Sequence, residues 1–208
     1  MKIILATQNQ GKVRELRELL VEEDIEVLSL LDFPDWEDIE ETGATFADNA
    51  ALKAREAARR TGLIALADDS GLEVDVLDGA PGVYSARYAG EPRDDERNLD
   101  KLLHALATIP MDKRTARFRC ALVMVTPFGE EYLTEGAVEG RILTERRGSD
   151  GFGYDPVFYL PKFVRTMAEL TLTEKNTISH RAQAFRKVIP ILRDLGRVMP
   201  RAVDPKII

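Results

Sequence analysis

Gly62-Leu63-Ile64-Ala65-Leu66-Ala67-Asp68-Asp69-Ser70-Gly71 sets an uninterrupted apolar run against two adjacent carboxylates and a polar turn pair. A run of this length, bounded by turn formers, reads as a strand buried on both faces that ends at Ala67. The carboxyl ends of such strands open into the crevice where ligands of open α/β sheets bind, so Asp68 and Asp69 are candidate functional residues. The same quartet also suits a plain strand-to-turn exit, because Asp, Ser and Gly all favour turns.

Working outward, Thr45 stands three residues before Asp48, the pattern of a helix N-cap, and alanines at 47, 50, 51, 54, 57 and 58 suit a closely packed helix to about residue 60. Gly62 supplies its stop. Before that helix, the acidic, proline-containing stretch 32–41 reads as loop. The chain opens with a strand over residues 2–7; from about Gly11, Val13, Leu16, Leu19 and Leu20 recur at helical spacing with Arg14, Arg17 and Glu18 facing away. A short strand follows near 25–28. Downstream, Gly79-Ala80-Pro81-Gly82 is a rigid loop, 93–107 an amphipathic helix, and 115–126 with 130–143 a hairpin turning at Pro127-Phe128-Gly129. The last helix spans about 177–195, with Pro190 expected to kink or interrupt it, and 198–208 reads as a loose tail. Alternating strands and helices with no internal repeat predict an α/β fold in one domain, 1–197, whose long hairpin extends it into a second lobe.

Composition narrows the partners. With 44% hydrophobic and 31% charged residues the chain is ordinary for a globular protein, and no run approaches the roughly 18 apolar residues of a membrane span. The apolar start is too short for a signal peptide, so a cytoplasmic protein with no membrane role is expected. A net charge of −7 argues against a nucleic-acid polymer as partner. The single cysteine, Cys120, excludes an intrachain disulfide or thiolate cluster and sits in an apolar strand-like run. His104 and His180 are the only histidines, so any metal must be held mainly by oxygen.

Thr7-Gln8-Asn9-Gln10-Gly11-Lys12 joins the first strand to the first helix, where backbone N–H groups and the helix dipole favour an anion such as phosphate. It lacks the second glycine of a Walker A loop; the bland alternative is a helix start with Asn9 as cap and Lys12 solvated. Lys53 follows Asn49 by four residues, so both share a helix face and can reach an oxyanion, unless the lysine is simply solvated. Glu40 and Glu41 supply carboxylates that, with Asp68 or Asp69, complete an oxygen-ligated divalent site of the kind magnesium prefers. In the glycine-rich stretch 148–158, Phe152 or Tyr154 can stack on a planar base while backbone amides and Asp155 read its edge; otherwise the aromatics plug the core. Ser179, His180 and Arg181, following Lys175, fall in the first turn of a helix, where cations oppose the macrodipole and call for an anion or carbonyl.

Taken together and in order, T-Q-N-Q-G-K at 7–12, E-E-T-G-A-T-F-A-D-N-A at 40–50, A-D-D-S-G-L at 67–72, G-A-P-G-V-Y-S-A-R-Y at 79–88, F-G-Y-D-P-V-F at 152–158 and E-K-N-T-I-S-H-R at 174–181 resemble the Ham1-like inosine/xanthosine triphosphate pyrophosphatases over nearly the whole chain. The resemblance implies a long mixed β-sheet flanked by helices, with two lobes and a central active-site cleft, in a homodimer that requires magnesium. It implies hydrolysis of ITP, dITP and XTP to the monophosphate and pyrophosphate. By the same resemblance residues 7–12 and Lys53 hold the triphosphate, Asp69 is the proton acceptor, and one of Glu40 and Glu41 helps place the metal. Ser70 contacts substrate, and Phe152 to Asp155, Lys175, His180 and Arg181 form the base and ribose end. Two other readings compete: a nucleotide sensor, which needs no acidic pair, and a Maf-like pyrophosphatase acting on modified pyrimidine nucleotides.

Overall fold

The computed structural model, which describes residues 1–37 and 39–198, turns the apolar runs and helical stripes into β1 (Lys2–Leu5), α1 (Gln10–Leu19), β2 (Glu26–Ser29), α2 (Phe46–Thr61), β3 (Ile64–Val74) and α3 (Asp95–Ala105). There follow β4 (Thr115–Val125), β5 (Glu131–Ile142), β6 (Phe158–Leu160), β7 (Arg165–Thr166), α4 (Leu172–Ile178) and α5 (His180–Val198). One mixed sheet has the order β2-β1-β3-β4-β5-β6-β7, with β1 parallel to β2 and β3 and the remaining pairs antiparallel.

Local chemistry sets the helix ends. Asn9 caps α1 by accepting the Lys12 N–H at 3.0 Å, and Thr45 and Asp48 cap α2 reciprocally, each accepting the other's N–H at 3.1 Å. Gly62 ends α2 at φ 65°, a left-handed conformation that costs glycine little. The alanine face of α2 lies on Ile4, Ala65, Ala67, Val123 and Val125 on one side of the sheet. On the other side, α1 and α5 bring Leu16, Leu20, Phe185, Val188 and Leu192 onto Ile3, Leu5, Leu66 and Leu122. A third cluster joins Leu99 and Leu102 of α3 to Leu72, Val74, Phe118 and Phe158. Close approach of α5 to β5 depends on Gly136, where an added Cβ would lie 2.0 Å from the His180 carbonyl oxygen and 2.8 Å from the Ala184 nitrogen.

Two expectations about the deciding stretch require correction: that the strand ends at Ala67, and that the adjacent carboxylates bind a metal as one unit. The strand does not end at Ala67: β3 continues through the acidic doublet to Val74. Its parallel neighbour β1 stops with Leu5 opposite Leu66, whereas the antiparallel ladder with β4 runs on unbroken to Val74 opposite Ala116. The carboxylates thus sit beyond the end of one neighbour while the other still holds their backbone. Because side chains alternate along a strand, Asp68 and Asp69 point to opposite faces. They are not a single chelating unit.

The C-terminal helix also starts differently. Ser179, at ψ 154°, breaks it into α4 and α5, and its hydroxyl accepts the Ala182 N–H at 3.2 Å. α5 runs through Pro190 without the expected interruption, with buried Phe185, Val188 and Leu192 holding it on the sheet around that point. β6 and β7, three and two residues long, carry too little periodicity to be anticipated. The expected tail lies outside the described residues beyond Val198. No described helix is long and apolar enough to cross a membrane.

Candidate active site

Beyond the end of β1 the turn to α1, the start of α2, the middle of β3, the loop 152–155 and the α4–α5 junction surround a cleft of about 390 Å³. Thr7, Gln8, Asn9, Lys12, Glu41, Lys53, Asp69, Ser70, Phe152, Gly153, Tyr154, Asp155, Lys175, His180 and Arg181 all line it. Residues 145 positions apart in sequence, such as Thr7 and Phe152, therefore meet in one place. Gln10, Gly11, Glu40 and Asp68 are not among the lining residues.

Each of those four has a physical reason. Gln10 opens α1 and is exposed. Gly11 lies in the first turn of α1, and its missing Cβ makes room for Phe152, whose Cδ1 would lie 2.6 Å from one. Glu40 is exposed, whereas Glu41 turns inward to Lys53 at 2.9 Å and Arg87 at 3.1 Å. Asp68 is buried beneath the floor: its Oδ2 meets Lys12 Nζ at 3.0 Å, Arg181 Nε at 3.1 Å and the Ser70 hydroxyl at 2.6 Å. A carboxylate oxygen so engaged is a clamp for side chains and not a ligand presented to a cation. Burial, the largest influence, pushes the Asp68 carboxyl up, but Lys12, Arg181 and Lys53 together hold it far below the usual range.

Asp69 faces the cleft on the α2 side. It accepts the Asn49 amide N–H at 3.1 Å and its own neighbour's N–H, from Ser70, at 3.1 Å, and lies 3.6 Å from Lys53. Burial first, with the nearby negative charge of Glu41, raises its proton affinity despite Lys53 and Lys12. Lys53 stands between the two acids and also donates to the Asp68 carbonyl at 3.0 Å. Its burial favours the neutral amine, yet Asp69, Glu41 and Asp68 outweigh that and keep it an ammonium.

The opposite wall is a string of alternating charge that the sequence did not disclose. Asp155 accepts from Lys175 at 2.6 Å, Lys175 meets Glu15 at 2.7 Å, Glu15 pairs with Arg181, and Arg181 reaches Asp68. Burial pushes Glu15 upward, and Arg181 with Lys175 overcomes it, leaving the carboxyl lowered. Over this string lies the Phe152 ring, 4.9 Å from Lys175 Nζ and 5.5 Å from the Arg181 guanidinium. Asp155 also accepts the Phe152 N–H at 3.0 Å, and Asp95 accepts that of Gly153 at 3.0 Å, so these amides hold the loop. The Tyr154 hydroxyl donates to the Ser85 carbonyl at 2.8 Å and its ring fills the core, as the bland alternative had it. His180 is buried and stacked on Phe118, with burial foremost, then Arg181 and Lys175, depressing its pKa well below 6.5. Cys120 is a buried thiol pushed up to about 12 by burial, and it takes no part.

Glu15, Arg87 and Arg93, the last lining the cleft 3.8 Å from Glu41, were missed because charged side chains on amphipathic or irregular segments ordinarily face water. The one available signal was that Glu15 adjoins Leu16 and precedes Leu19 by four, at the edge of the apolar stripe. As for a metal, the carboxylates that reach the cleft near one another are Asp69 and Glu41, each partly engaged by Lys53. Among the described residues no three acidic, histidine or cysteine side chains gather in ligand geometry. Two carboxylates supplemented by waters and phosphate oxygens fit magnesium, which rarely takes an all-protein cage.

Comparison with known proteins identifies the family. The chain is 55% identical over 195 residues to the dITP/XTP pyrophosphatase of Desulforamulus reducens, covering 94% of this chain and 97% of the relative. It is 54% identical over 189 residues to the dITP/XTP pyrophosphatase of Bacillus cereus, covering 90% and 92%. Among solved structures, the Ham1 protein of Staphylococcus aureus superposes with a TM-score of 0.81 at 42% identity, over 93% of this chain and 99% of that one. A HAM1 protein from Coxiella burnetii does so with a TM-score of 0.83 at 45% identity, again over 93% and 99%. The family model described as "Ham1 family" matches residues 3–191, and with relatives this similar over nearly their full length the chain belongs to the Ham1 family.

Proposed function

We propose that the protein hydrolyses deaminated purine nucleoside triphosphates, ITP, dITP and XTP, to the monophosphate and pyrophosphate, and so clears them from the cytoplasmic nucleotide pool. The observation that carries this reading is the position of Asp69: a carboxylate of raised proton affinity at the cleft, flanked by Lys12 and Lys53 on one hand and by the Phe152–Arg181 pocket on the other. The relatives named above as dITP/XTP pyrophosphatases support it.

In this reading the Thr7–Asn9 turn, Lys12 and Lys53 bind the triphosphate at the N-terminus of α1, where the helix field favours negative charge. Asp69 and Glu41 are the residues that would hold a magnesium ion, which when bound supplies charge neutralisation at the phosphate oxygens. Asp69 accepts the proton of the attacking water, and Asn49 and the Ser70 N–H fix its carboxylate for that role. Lys53 then meets charge developing on the departing pyrophosphate; such transfers depend on positioning and electrostatics, so no protein nucleophile is required. Ser70 is a substrate contact.

Phe152 stacks on the base, while Lys175 and His180 shape the base and ribose end. The Phe152 and Gly153 amides are engaged by Asp155 and Asp95, so Arg181 is the donor assigned to the purine 6-carbonyl; Asp68, Glu15 and Ser70 occupy only part of its five N–H groups. Adenine would present an amino group there, and an unsatisfied buried donor costs about 1–3 kcal/mol. The protein acts on free nucleotides, not on polymers or membranes, as a homodimer. Incubation with magnesium and a panel of ITP, XTP, dITP, ATP, GTP, dUTP and modified pyrimidine triphosphates tests the reading. Pyrophosphate release confined to the deaminated purines is expected; release of orthophosphate, or equal rates on ATP, would refute it.

A further inference from the structure

One residue touches both ends of the cleft without lining it. The Oδ2 of Asp68 is shared by Lys12 at the phosphate turn and Arg181 at the base pocket, at 3.0 and 3.1 Å, while the Ser70 hydroxyl donates to the same atom at 2.6 Å. Its main-chain carbonyl receives Lys53 at 3.0 Å and Lys12 at 3.4 Å. The Asp68 side chain is wholly buried and its Oδ1 has no partner among the described residues, so the carboxylate's contacts converge on the single oxygen between the two cations. Asp69, pointing to the opposite face, has no such bridging contact.

We propose that Asp68 is a positioning residue that couples base recognition to phosphate binding, by making Lys12 and Arg181 share one oxygen. Two cations on one acceptor balance each other: if either is removed, more of the negative charge acts on the one that remains and draws it down from the cleft. Loss of Lys12 therefore costs its own phosphate contact and also retracts Arg181 from the base. Loss of Arg181 likewise draws Lys12 from the phosphates. With both gone, each contact is lost only once, so the combined loss is smaller than the product of the separate losses. A base that engages Arg181 relieves the pull on Asp68 and leaves it to Lys12 and Ser70, and the nucleotide's identity is thereby felt at the phosphate turn.

This rests on the cleft being a nucleotide site, and two assays separate the claims. Turnover of ITP by the wild-type protein in magnesium decides the function. Calorimetric binding of ITP in magnesium-free buffer needs no hydrolysis and decides the coupling, through a double-mutant cycle of Lys12→Met and Arg181→Gln. The joint loss of affinity is expected to be about tenfold smaller than the product of the single losses, as for residues in one ion-pair network. Lys12→Met should in addition lower the preference for ITP over ATP, a change that general loosening of the fold would not produce. In an Asp68→Asn background the two losses should multiply. Multiplication within twofold in the wild-type background, or persistence of the coupling after Asp68→Asn, would overturn the proposal. If Asp68→Asn does not fold, the wild-type cycle alone decides. Binding without turnover would refute the function and leave the coupling standing.

Discussion

His180 offers the sharpest test of the electrostatics at the base end of the cleft. The ring is buried at the first residue of α5, stacked on Phe118 with centroids 4.9 Å apart and planes at 18°, and its Nδ1 has no partner among the described residues. Burial, then the positive charges of Arg181 and Lys175, keeps the native imidazole neutral to well below pH 6.5. The unfolded chain takes up that proton near its ordinary value of 6.5, so below this pH the unfolded state binds more protons and stability falls as pH falls. The loss is at most RT ln(1 + 10^(6.5 − pH)), about 1.4 kcal/mol at about pH 5.5 and under about 0.1 kcal/mol at about pH 7.5. His180→Phe retains a ring against Phe118 and removes the titration. Urea unfolding of both proteins at the two pH values isolates the difference, because every other titrating group cancels. The wild type should lose up to about 1.4 kcal/mol more than the variant, a relative midpoint shift of up to about 0.7 M at a slope near 2 kcal/mol/M. Equal pH dependence would show that native His180 accepts a proton as readily as a free imidazole, and the description of the pocket as a neutral-histidine site would fail.

Asp69→Asn should leave ITP binding within a few fold and lower turnover by at least about a hundredfold, as loss of a general base does; unchanged turnover removes Asp69 from the chemistry. Because Glu41 points to Lys53 and the cleft while Glu40 is exposed, Glu41→Gln should raise the magnesium concentration for half-maximal rate about tenfold and Glu40→Gln should leave it within about twofold. The reverse pattern in a magnesium titration would refute the placement. Gly136→Ala sets a methyl group against the His180 carbonyl of α5; it should cost about 1–3 kcal/mol in thermal or urea unfolding and raise the KM for ITP as α5 lifts. A variant of wild-type stability would show that α5 has room to spare.

Much of the fold was written in periodicity and caps. Thr45, Asp48 and Gly62 announced α2 to within a residue, and the hairpin at Pro127–Gly129 fell where the strands' lengths placed it. Residues drawn from the short motifs were largely brought into one cleft, since glycines, paired acids and helix-start cations carry local signals. What local signals cannot carry is pairing across the chain. Glu15 becomes legible as a buried anion only once Lys175 and Arg181, some 160 residues later, are beside it. The continuation of β3 past Ala67 was hidden for the same reason, because it depends on a ladder with β4 that no pattern within 62–71 reveals. Asp68 and Asp69 looked like a pair in the sequence because adjacency is what a sequence displays; the pleat separates them.

That separation gives segment length a meaning of its own. The two carboxylates differ in duty only because one falls on even and the other on odd numbers along β3, counted from the point where Gly62 releases α2. Insertion of a single codon between Gly62 and Asp68 would send the buried clamp to the cleft, and deletion of one would set the cleft acid among Lys12 and Arg181, while leaving the composition almost untouched. Changes of length by one residue here should abolish activity, so the spacing between Gly62 and Asp68 is as much a part of the site as the acids themselves.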